Sequence, residues 1–182
     1  MEEQSKPPQL SKSVGVTGKQ LVMSQRHWYK TILVAGLIAG SLDITYACLF
    51  SYFRRGTRPI AVLQSVAAGA LGARAQEGGL KTAALGLCFH FLIALTAAAV
   101  FYFSSRAIRF MINHAVISGI LYGLCVYLVM YGLVLRFSAI HSTRYPWNYP
   151  WPVLTGNVLI HTLGIGLSIA LVTRYFSRKS AV

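Results

Sequence analysis

The sequence predicts an all-α polytopic membrane protein: four transmembrane helices, with a short interfacial or re-entrant helix between the first and second. Three observations predict it. Of the 182 residues, 55% are hydrophobic and 12% charged, with a mean hydropathy of +0.55; a soluble domain carries about 25% charged residues. Four apolar runs each reach the ~20 residues that a helix needs to cross the hydrocarbon core. Finally, 17 Lys and Arg stand against 4 Asp and Glu, and the basic residues gather at the ends of the runs, where they meet anionic headgroups. The lipid bilayer is the partner this pattern implies. The basic residues form no single stripe, which argues against a nucleic-acid partner.

Residues 1–28 are polar, contain Pro7, Pro8, Gly15 and Gly18, and lack an apolar h-region. They read as a flexible cytoplasmic tail, with the first span as an uncleaved signal anchor. That span covers 29–53. Residues 58–75 are rich in small side chains, short and weakly apolar for a span, and include Gln64, Gly69 and Gly72. A short helix fits them, and a re-entrant course would need shielding by neighbours, because lipid offers the backbone no hydrogen-bond partners. The second span covers 80–104, a tight basic turn follows at 106–112, and the third span covers 113–137. Residues 138–151, rich in Pro, Trp and Tyr, suit a headgroup-level loop. The fourth span covers 152–176, and 177–182 form a carboxy-terminal tail.

Ten Lys and Arg fall on the side of the termini and seven on the other, a bias that places both termini in the cytoplasm. Gly36 and Gly40 in the first span, and Gly119 and Gly123 in the third, repeat a G-x-x-x-G spacing that lets helix backbones approach closely. Packing inside the bundle and contact in a homo-oligomer are both open uses. The second and fourth spans each carry one histidine and end in Tyr-Phe-Ser, a pattern consistent with a duplicated helix pair.

Three spans carry one ionisable residue near the middle: Asp43, His90 and His161. Asp43 lies ten residues before the outer end of its span, His90 ten after the start of the second, His161 nine after the start of the fourth. At 1.5 Å per residue, all three stand about 15 Å from one face. Cys125 and Tyr127 of the third span share that depth, and Asn157 sits one turn above His161. Ionisable groups at this depth are costly and mark candidate functional sites. The layer could relay protons, hold a polar solute group, or fix helix packing. Haem ligation by His90 and His161, or an Asp-plus-two-His metal site, are further readings, although no local ligand spacing supports a metal and no cofactor is expected. Cys48, Cys88 and Cys125 read as small buried hydrophobes. No nucleophile motif, phosphate loop or nucleotide fingerprint occurs, so no enzymatic activity is expected.

The segments AGLIAGSLDITYA, RPIAVLQSVAAGALG, GLKTAALGLCFHFLIAL, YGLCVYLVMYGLVL and GNVLIHTLGIGLSIAL resemble the YagU-like bacterial inner-membrane proteins over residues 32–174. That family is described as multi-pass inner-membrane proteins without an assigned activity. The resemblance implies fold and location rather than mechanism. Its matching positions are Asp43, Gln64, Gln76, His90, Tyr127 and His161. It therefore adds Gln64 to the candidate site and implies that the short helix dips toward the polar layer. The expected function is binding or conduction of a small solute or protons through that layer. The alternatives are a structural or partner-binding subunit and a haem or metal redox protein.

Overall fold

The computed structural model describes residues 28–179. The expected amino-terminal tail lies outside them except for Trp28, as do the last three residues. Helices run in the order α1 (Trp28–Arg55), α2 (Pro59–Leu71), α3 (Gly79–Ala107), α4 (Arg109–Asn113), α5 (Ala115–Phe137) and α6 (Trp151–Lys179), with no strand among the described residues. α1, α3, α5 and α6 are long and apolar enough to cross a membrane. The protein is an all-α, multi-pass membrane protein.

Local chemistry accounts for the ends. α1 stops on Arg54 and Arg55, cations that favour a helix carboxy terminus. Pro59 opens α2, where its missing N–H costs nothing. Gly72 ends α2 with φ +62°, a conformation that a side chain would strain. The expected basic turn at 106–112 is not a turn. α3 runs on to Ala107, Ile108 is extended, and Arg109–Asn113 form a short separate helix. In the 138–150 loop, Pro146–Asn148 make a single 3₁₀ turn. The guanidiniums of Arg136 and Arg144 lie 5.4 Å and 5.3 Å from the rings of Tyr145 and Tyr149, favourable cation–π geometry.

The small residues set the packing. A Cβ on Gly36 would run into Leu95, and one on Gly40 into Phe91 and Ala94, so α1 lies close on α3. A Cβ on Gly119 would strike Gly166 and Leu167, and one on Gly123 the backbone of His161 and Thr162, so α5 lies close on α6. All four glycines of the two motifs are thus occupied within the chain, each pairing a glycine helix with the histidine-bearing helix that follows. Gly86 does the same for α2, whose Leu63 carbonyl fills the space a Cβ would need. α2 therefore lies along the first turns of α3. Ala35, Ala39, Ala98, Phe101, Ala115, Ile169 and Ala170 form a close-packed core in the half of the bundle that holds the termini.

Candidate functional site

Gly36, Gly40 and Asp43 recur at helical spacing on one face of α1. The glycine contact with α3 therefore delivers Asp43 to that helix as well. His90 is the α3 residue it meets. His90 Nε2 lies 2.8 Å from the Gly40 carbonyl oxygen. A carbonyl only accepts, so Nε2 carries the proton. Nδ1 then faces Asp43, 4.0 Å from Oδ2. The two side chains are 11% and 22% exposed.

His161 arrives from α6. Its Nδ1 donates to the Asn157 carbonyl of its own helix at 2.8 Å. Tyr127 and Tyr131 of α5 set their rings nearly edge-on to the imidazole, with centroids at 5.6 Å and 5.9 Å. The backbone widens on both sides of this contact. Met130–Val134 in α5 and Ile160–Leu167 in α6 are π-helical, a geometry that recurs at functional sites because it re-aims side chains within a helix. Asp43 is close enough to interact electrostatically with both His161 and His90, and also with Tyr46 and Tyr131. Three helices thus bring Asp43, His90 and His161 to one place, and α5 supplies Tyr131.

These residues line a cavity of about 600 Å³, whose wall continues past them to Gly40, Ala97 and Ile165. On α1 its wall follows Gly40, Asp43, Ala47, Phe50 and Arg54; on α6 it follows Val153, Asn157, His161 and Ile165. Each row is a single helix face. The rows lead from the Asp/His layer to the end of the bundle opposite the termini, where Arg54, Arg55 and Ser138 form the rim. The alanine-rich core closes the other half. The wall is predominantly apolar, with a few polar groups at its inner end and rim, the usual make-up of a small-molecule site.

Two residues placed in the site by the sequence do not line the cavity. Gln64 turns away from the layer. Its amide donates to the carbonyl of Gly79 at 3.1 Å and reaches the Gln76 carbonyl and Thr82 hydroxyl at 3.5 and 3.4 Å. It pins the bend from α2 to α3, and the cavity wall of α2 is made by Val62, Ser65 and Val66 instead. Tyr127 backs His161 and donates its hydroxyl to the Pro146 carbonyl, tying the 138–150 loop to α5 without lining the cavity. Tyr46 and Tyr131 are the lining residues that sequence reasoning missed. Each stands one turn from a residue that was found, Tyr46 after Asp43 and Tyr131 after Tyr127. The cysteines are free thiols, and Cys88 and Cys125 are exposed rather than buried.

Chemically, the layer is rich in acceptors. No described residue donates a hydrogen bond to the Asp43 carboxylate; its close polar neighbour is His90 Nδ1. Each imidazole has spent an N–H on a backbone carbonyl. In the neutral ring the second nitrogen is then a lone pair. Among the described residues, no group of three or more His, Cys, Asp or Glu converges closely enough to hold a metal ion. No protein-family model, curated protein or solved structure matches the chain.

Proposed function

We propose that the chain is a bacterial inner-membrane protein related to the YagU-like group, with both termini cytoplasmic, and that it binds a small solute in the cavity above Asp43, His90 and His161. The observation that carries this reading is the cavity itself. A layer serving only to lock helices together would be packed, as the alanine-rich half is; here three costly polar groups line about 600 Å³ of open space. The close-packed opposite half speaks for binding at the end of a vestibule rather than an open pore. The motif likeness and the Lys and Arg bias support the location and the orientation, under which the vestibule opens away from the cytoplasm.

Cysteine accessibility tests the reading. On a background with Cys48, Cys88 and Cys125 replaced by serine, Ala47→Cys and Ser65→Cys are expected to react with a membrane-impermeant maleimide added to the non-cytoplasmic face. Ala39→Cys, in the packed half, is expected to stay unlabelled. If neither cavity position reacts from either face, the vestibule does not exist in the membrane.

A further inference from the structure

The ligand's chemistry can be read from what the inner end of the cavity lacks. A buried carboxylate is normally matched by two or three donors or by a cation, because desolvating it is expensive. Asp43 receives no hydrogen bond from any described residue. His90, 4.0 Å away, presents Nδ1, and its donor is committed to Gly40. His161 has committed Nδ1 to Asn157, so its available nitrogen is Nε2. Three helices therefore present a carboxylate and, in neutral rings, two imidazole lone pairs, beside a single buried hydroxyl without a hydrogen-bond partner, that of Tyr46. A ligand that satisfies Asp43 must bring donors and positive charge.

The surroundings narrow the class. A lone metal ion needs donors about 2 Å from one point, and the described residues offer no such convergence. The wall beside Asp43 is aromatic: Tyr46 and Phe50 stack with centroids 5.3 Å apart, and Tyr131 stands opposite on α5. Aromatic faces attract organic cations. The remainder of the cavity is apolar and far larger than an ion requires. We propose that the cavity binds an organic ammonium, a protonated amine on a small apolar body, with the N–H groups directed to Asp43, His90 and His161. This rests on the cavity being a solute site. Arg54 and Arg55 at the rim oppose a cation in transit, so selection is made at depth rather than at the entrance.

The test uses the full chain in lipid nanodiscs at about pH 8, with empty nanodiscs as the partition control. Benzylammonium, benzyl alcohol and benzoate are titrated calorimetrically; they share a ring and differ in charge. Benzylammonium is expected to bind about tenfold or more tightly than benzyl alcohol, in line with a charge-assisted contact to a desolvated carboxylate. Asp43→Asn is expected to abolish that preference. Because the ratio of probes is measured on the unsubstituted protein, the result does not depend on the variant folding. Equal or tighter binding of benzyl alcohol or benzoate overturns the ammonium class and leaves the solute cavity standing. Binding of all three no stronger than to empty nanodiscs overturns both.

Discussion

His90 donates through Nε2 to the carbonyl oxygen of Gly40, 2.8 Å away, across the interface of α1 and α3. The contact exists because Gly40 has no side chain, which brings the α1 backbone within reach of an imidazole on α3. It holds the ring so that Nδ1 faces Asp43. His90→Ala removes one hydrogen bond to a carbonyl and is expected to cost about 0.6 kcal/mol, read as a small fall in Tm in detergent. The same change is expected to weaken benzylammonium binding by more than that stability loss would suggest, since the ligand also loses an acceptor.

The glycine interfaces predict a graded series. A Cβ on Gly123 would overlap the His161 carbonyl and Thr162 Cα, both backbone, whereas a Cβ on Gly132 would meet only the Pro146 ring at ordinary distance. Backbone cannot rotate aside, so Gly123→Ala is expected to push α5 off α6 and destabilise by about 1–3 kcal/mol. Gly132→Ala is expected to be near neutral. Thermal unfolding of the two variants side by side checks this, and equal effects would contradict the packing described.

Gln64 separates stability from binding. Its amide joins the Gly79 carbonyl at the bend to the middle of α2, outside the cavity wall. Gln64→Met keeps the volume and removes the bonds. The expected loss is about 1 kcal/mol from the hydrogen bonds removed, since the Thr82 hydroxyl still donates to the Gly79 carbonyl, together with faster proteolysis within residues 72–78. Benzylammonium affinity is expected to stay within twofold or so of the unsubstituted chain.

These placements show which features a linear reading of the chain can reach. The spans were legible because about 20 apolar residues have one cheap arrangement in lipid. The depth of Asp43, His90 and His161 followed from helix rise alone. Azimuth did not follow: Tyr127 passed the depth criterion yet does not line the cavity, and Gln64, which only the family resemblance had added, turns toward the bend between α2 and α3. The π turns at Met130–Val134 and Ile160–Leu167 carry no pattern that hydropathy detects, yet they set the directions of Tyr131 and His161. The cavity was illegible for a related reason, since a void depends on the side-chain volumes of several helices at once.

Asp43 also offers a way to tell function from packing without any ligand. A carboxylate retained for structure would hold partners together, and removing its charge would lower stability. This one accepts no hydrogen bond from a described residue, so the empty protein bears its desolvation with little return beyond the His90 contact at 4.0 Å. Asp43→Asn exchanges a charge for a neutral amide of nearly the same shape. It is expected to raise the stability of the ligand-free protein by about 1 kcal/mol while removing the preference for benzylammonium, the trade-off usual for groups kept for function. Unfolding followed by circular dichroism, with and without benzylammonium, measures both halves. The probe is expected to stabilise the unsubstituted chain and not the variant. A variant clearly less stable than the unsubstituted chain in the absence of ligand would return Asp43 to a packing role.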